Sequence, residues 1–148
     1  MNLIVNWKGI KIDGVEETNR KSAIKVLQLD CDRSLLVLAK NILELYGDFE
    51  IDLVSSFIQA NEALEKKKYD VIVSGYFFAS GKTGLDFFQE LKVKGSTLPF
   101  ILFSIYEEVA NEALKKGVTK FVAMEGDCDK VYTELSKTIK EIKENSKQ

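Results

Sequence analysis

Tyr69-Asp70-Val71-Ile72-Val73-Ser74-Gly75-Tyr76 contains a short, unbroken apolar run, Val71 to Val73, closed by Ser74 and Gly75. A β-branched run without polar alternation is what a strand covered on both faces requires, as in the middle of a parallel sheet. Working outward, similar runs recur on either side of it, separated by longer amphipathic segments. Repeated strand-helix units of this kind predict an α/β fold built on a parallel sheet. The strands read as Ile24 to Leu29, Glu50 to Val54, Asp70 to Ser74, Phe100 to Ser104 and Lys120 to Ala123.

Between the strands the spacing becomes helical. The first helix, Arg33 to Tyr46, carries Leu35, Leu36, Leu38, Ala39, Ile42, Leu43 and Tyr46, and Gly47 is placed to close it as a left-handed cap. The second, Phe57 to Lys67, ends in the basic run Lys66-Lys67-Lys68, which suits the helix dipole and reads as a solvated end. Leu85 to Val93 is the third. The fourth, Glu107 to Lys116, turns Val109, Ala113 and Leu114 inward, and the last runs from Asp129 to about Glu144. Residues 1–22 differ in texture: Leu3 to Gly14 reads as two short strands about Lys8-Gly9, a β-hairpin, followed by a polar linker, with a disordered tail as the competing reading. The organisation expected is an extension at 1–22, one domain at 23–144 and a tail at 145–148.

Composition narrows the chemistry. A chain of 148 residues suits one compact domain, and 21 basic against 23 acidic side chains, net charge -2, give no footprint for a nucleic-acid backbone or an anionic membrane. No apolar run approaches the roughly 20 residues that span a bilayer, and the first residues lack a secretory leader, so the expected location is the cytoplasm. There is no histidine, which removes catalytic triads, a histidine base and a phosphohistidine relay. With only Cys31 and Cys128, a four-ligand Cys/His zinc site cannot form, and each thiol reads as reduced, in a buried or half-buried packing role. No cofactor is expected.

Ligands of an open parallel sheet sit beyond the carboxyl ends of its strands. That directs attention to Asp30-Cys31-Asp32, Gly75 to Gly84, Ser104 to Tyr106 and Met124 to Asp127. In the text around these positions the chain resembles the response-regulator receiver family: Lys25-Val26-Leu27-Gln28-Leu29-Asp30, Tyr69 to Ser74, Gly84-Leu85-Asp86-Phe87-Phe88, Leu98-Pro99-Phe100-Ile101-Leu102-Phe103-Ser104 and Ala113-Leu114-Lys115-Lys116-Gly117. The resemblance covers about Ile24 to Ile142. It implies a flavodoxin-like fold, a five-stranded parallel sheet of order 2-1-3-4-5 with helices on both faces. It also implies a phosphorylation pocket in which two acidic residues hold magnesium, an aspartate takes the phosphoryl group, a Ser or Thr binds it and a lysine completes the charge balance.

Carried across position by position, Asp30 matches one acidic residue, Cys31 stands at the second, Gly75 at the acceptor, Ser104 at the hydroxyl and Met124 at the lysine. Glycine offers no nucleophile and methionine no charge, so neither covalent capture nor charge compensation is available there. Asp30 and Asp32 remain as weak metal candidates. The loop after Gly75 is one residue longer than the family's and lacks its proline; Tyr76, Phe77 and Phe78 stand at the pocket mouth, with Phe77 or Phe78 expected to fill it. The family's conformational switch maps to Ser104 and Phe121. The plainer reading makes Ser104 a strand-end hydroxyl bonded to backbone and Phe121 a packed aromatic on the face shared by the last two helices.

The resemblance therefore implies a degenerate receiver of a two-component-type system, not an enzyme, acting by phosphorylation-independent contact with a protein. Because the receiver-like stretch takes up nearly the whole chain, its effect is expected to pass to a sensor kinase, an output protein or a second copy docked through the last two helices. Two rivals stay open. One is a phosphorylatable regulator with a displaced acceptor, Asp30 or Asp32. The other is nucleotide binding at Ser80-Gly81-Lys82-Thr83, whose Gly75-to-Gly81 spacing is one residue too long for a P-loop and is crowded by aromatics.

Overall fold

The computed structural model describes residues 23–146, so the hairpin expected at 1–22 lies outside the described residues. Five parallel strands, β1 (Ile24–Leu29), β2 (Phe49–Val54), β3 (Val71–Ser74), β4 (Phe100–Ser104) and β5 (Lys120–Ala123), form one sheet of order β2-β1-β3-β4-β5. Helices α1 (Arg33–Tyr46), α2 (Phe57–Lys66), α3 (Gly84–Val93), α4 (Ala110–Lys115) and α5 (Cys128–Ser146) alternate with them. This is the flavodoxin-like architecture that the resemblance implied.

Successive strand residues point to opposite faces, which divides the core in two. Val26, Val71, Val73, Ile101, Phe103 and Val122 meet α1 and α5 through residues such as Leu43, Leu135 and Ile139. Leu27, Leu29, Ile72, Phe100 and Leu102 meet α2, α3 and α4 through Ala60, Phe87 and Ala113. All four residues of β3 are buried, as its unbroken apolar text requires.

Helix starts follow their caps. Asp32 accepts from Leu35 N at 3.1 Å and Ser56 from Gln59 N at 3.1 Å, while Thr83 and Asp86 form a capping box. No side chain caps the start of the fourth helix, and its first residues, Glu107–Val109, wind as a 3-10 turn instead of joining one helix from Glu107.

Several expectations are corrected. Gly47 is not a left-handed cap: its backbone is extended, with φ -179°. Its value is space, since a Cβ there would stand 2.8 Å from Lys140 Cε and 3.0 Å from the Phe49 ring. Lys140 Nζ uses the gap to donate to Tyr46 O at 2.6 Å, tying α5 to the end of α1. Leu38 and Leu114 are exposed, and Ala113 is the buried residue of α4. Both cysteines are exposed free thiols, not packing residues. Lys67 is no simple solvated end either, for it pairs with Asp52 at 2.8 Å and Glu50 at 3.0 Å. No helix among the described residues is long and apolar enough to cross a membrane.

Candidate functional site

The order of strands reverses between β1 and β3, which opens a crevice at their carboxyl ends. Leu29 pairs with Ser74, so the strands end level and Asp30 and Gly75 emerge side by side. Gly75 N donates to Leu29 O at 2.9 Å and Asp30 N to Val54 O at 3.2 Å, fixing both backbones.

The Asp30 carboxylate is turned toward Gly75. Its Oδ2 lies 2.9 Å from the point where a Gly75 Cβ would stand, so it occupies the space of the side chain that Gly75 lacks. Its Oδ1 accepts from Asp32 N at 3.0 Å. Burial pushes the Asp30 carboxyl above the usual carboxylate range; the Asp32 amide pulls it down, and the Asp32 charge adds to the rise.

The loop beyond Gly75 is pinned by its backbone. Gly84 N donates to Tyr76 O at 2.6 Å, Gly81 N donates to Phe78 O at 3.0 Å with Gly81 at φ +92°, and Phe77 bridges Thr83 antiparallel. A Cβ on Gly84 would fall 2.1 Å from Gly75 O and 2.8 Å from Ser74 Oγ, so α3 starts directly against the end of β3 only because Gly84 has no side chain.

The three aromatics of this loop separate. Phe78 is buried on the α2–α3 side, its ring centroid 4.3 Å from that of Phe57, which in turn stacks on Phe87. Phe77 is 54% exposed, edge-on to Tyr76 and to Tyr106, both at 4.8 Å. Thus neither expected filler stands in the gap at Gly75: Phe77 turns to solvent, Phe78 packs on Phe57, and the group turned into the gap is the Asp30 carboxylate.

The other site positions are engaged elsewhere. Ser104 is buried and its Oγ accepts from Tyr106 N at 3.0 Å, which is the backbone role of the plainer reading. Phe121 is half-buried and packs with the α2–α4 face, not on a face it shares with α5. Met124 packs against the α1–α5 face, its N donating to Ser104 O at 3.0 Å. Cys31 is exposed. The structure thus brings together Asp30 and Gly75, and it packs Met124, partly buried, against the α1–α5 core cluster instead.

This donor set fits the family's magnesium poorly. Asp30 is turned into the gap at Gly75, Asp32 is committed to capping α1, and Gly75 supplies no oxygen from a side chain. Among the described residues, no group of three or more His, Cys, Asp or Glu is arranged to hold a metal ion. The nucleotide-binding rival finds its groups engaged as well: Lys82 pairs with Glu90, and Thr83 Oγ1 accepts from Asp86 N at 3.1 Å.

Two contacts of the rim were not foreseen from the sequence, although Tyr106 and Glu125 lie in the loops it marked. Tyr106 completes the cluster with Tyr76 and Phe77, and Glu107 touches Glu125, whose hydrogen bond and charge push the Glu107 carboxyl upward. Both contacts join different loops, and only the position of their residues at strand ends hinted at proximity.

The geometry has counterparts among known proteins. A response regulator receiver domain protein from Clostridium thermocellum superposes with TM-score 0.72 at 20% identity, over 84% of this chain and 97% of that one. The Francisella response regulator 1452 receiver domain gives 0.73 at 20%, over 83% and 98%. Response regulator TrrA from Thermotoga maritima, in complex with Mg(2+)-BeF, gives 0.69 at 21%, over 80% and 98%. At these identities the likeness speaks to the fold. No curated protein matches the chain. The sequence pattern of the response regulator receiver domain, however, matches residues 26–136, from the third residue of β1 into α5. Sheet order, the crevice between β1 and β3 and that match converge, and the chain belongs to the response regulator receiver domain family.

Proposed function

We propose that this receiver works as a phosphorylation-independent interaction module, a pseudo-receiver of a two-component-type system that signals by contact with a protein partner. The observation that carries this reading is the pair at the crevice: Gly75 has no side chain to phosphorylate, and the Asp30 carboxylate stands in the gap. Methionine at position 124 supports it, because a thioether packed against the α1–α5 cluster cannot neutralise a developing phosphoryl charge. The domain spans 23–144, and the partner is a sensor kinase, an output protein or a second copy. A cytoplasmic location accords with such a role.

The test is an amide NMR titration with magnesium and beryllofluoride, an analogue of the aspartyl-phosphoryl group, which the Thermotoga maritima neighbour carries in its crystal. Silence around Asp30, Gly75 and Ser104 is expected. Saturable shifts there, spreading to Phe121 and α5, overturn the reading.

One observation favours a second reading. The Asp30 carboxylate lies in the acceptor's own gap, so it is the better placed of the two displaced acceptors; Asp32 is held by its capping bond. Phosphate retained after acetyl phosphate treatment and lost in Asp30→Asn would establish it.

A further inference from the structure

The rim carries exposed aromatic surface beside acidic side chains. Phe77 is 54% exposed, and its ring stands edge-on to Tyr106 and Tyr76. The hydrogen bonds and bridge of the 76–84 loop hold Phe77 outward, so the patch is preorganised. Glu107 follows Tyr106 directly, and Glu125 of the β5–α5 loop stands beside it, its hydrogen bond first and its charge second raising the Glu107 carboxyl. Among the described residues no lysine or arginine pairs with either glutamate.

Aromatic rings attract cations through their π faces, and two adjacent carboxylates gain when a cation enters between them. We propose that this patch docks a basic segment of a partner protein. An arginine or lysine of that segment lies over the Phe77–Tyr106 rings with its charge at Glu107 and Glu125. A second copy of this chain is the poorer occupant, because it would bring the same carboxylates to face each other. The proposal rests on the interaction-module reading and names the chemistry of the partner.

The full chain, isotope-labelled, is titrated with the peptide acetyl-Arg-Leu-Arg-Phe-Arg-amide and with its counterpart carrying Glu for each Arg. The basic peptide is expected to give saturable shifts at residues 76–78, 105–108 and 125, and the acidic one none. Phe77→Ser should weaken binding about fivefold, the double variant Glu107→Gln with Glu125→Gln by a similar factor, and Phe77→Tyr should retain it. These side chains are exposed, so the variants keep the fold, which unchanged spectra elsewhere confirm. No saturable shift, equal response to the acidic peptide, or undiminished binding in the variants overturns the proposal. A chain silent to both peptide and beryllofluoride loses this surface and keeps the interaction-module reading; a response to beryllofluoride removes that reading itself.

Discussion

The carboxylates at the two ends of the sheet are treated in opposite ways. At the amino end, Asp70 accepts from Lys25 N and from Lys143 Nζ, both at 2.8 Å, and so joins β1, β3 and α5. Burial opposes its charge, but the Lys143 and Lys25 bonds outweigh it and hold the carboxyl below the usual range. On the β2 flank, Asp52 is treated alike: burial works against its ionisation, and hydrogen bonds from Lys67 and Tyr69 prevail. Burial and the bond to Asp52 together push the Tyr69 phenol up to about 12. At the carboxyl end the shifts reverse. Asp30 is raised by burial and Glu107 by Glu125, and among the described residues no lysine or arginine forms an ion pair with either. Charge pairing thus serves cohesion at one end, whereas the rim is held by backbone bonds and the close approach at Gly84.

Three substitutions bear on that contrast, from the largest effect to the smallest. Gly84→Ala forces a Cβ against the Gly75 carbonyl and should cost about 3 kcal/mol in urea unfolding. A cost under about 1 kcal/mol would show that the rim does not depend on this approach.

Asp70→Ala should cost about 2 kcal/mol at neutral pH, because it strands the Lys25 N–H and leaves Lys143 unpaired. The folded carboxyl is depressed, so its contribution is present above the unfolded value of about 3.9 and is lost as pH falls through the folded value. Wild type and variant should therefore converge only in acid, below about pH 4. A gap independent of pH would mean that the loss is one of packing.

Asp30→Asn should act in the other direction, stabilising the chain by up to about 1 kcal/mol at pH 7. The folded carboxyl is raised, so wild type gains stability as pH falls through the folded value toward about 3.9, and the buried charge is a cost above it. The variant's advantage should shrink on acidification; a destabilised variant at pH 7 would show that the Asp30 charge has a partner at the rim.

Much of the architecture was readable in one dimension. The apolar runs located β1, β4 and β5 residue for residue, and Arg33 to Tyr46 was legible from its spacing and from Asp32 ahead of it. Local signals suffice there because burial on two faces demands an apolar run and a capping side chain acts within three residues. Less was readable at the site. The sequence showed that Gly75 has no nucleophile, yet not that the Asp30 carboxylate turns into its place. It offered Phe77 and Phe78 as equivalent fillers, whereas the bridge to Thr83 sends one to solvent and the other onto Phe57. Gly47 looked like a helix terminator until Lys140, from the far end of the chain, explained the missing side chain.

The sequence by itself determined the alternation of strand and helix, the division into buried and wet faces, and the absence of a side-chain nucleophile at Gly75, because these depend on residue type and short-range spacing. Only the tertiary structure decided which way Asp30, Phe77 and Met124 point and that Glu107 meets Glu125. Those outcomes depend on contacts between loops distant in the chain, where the space left by one side chain is settled by whichever neighbour can reach it.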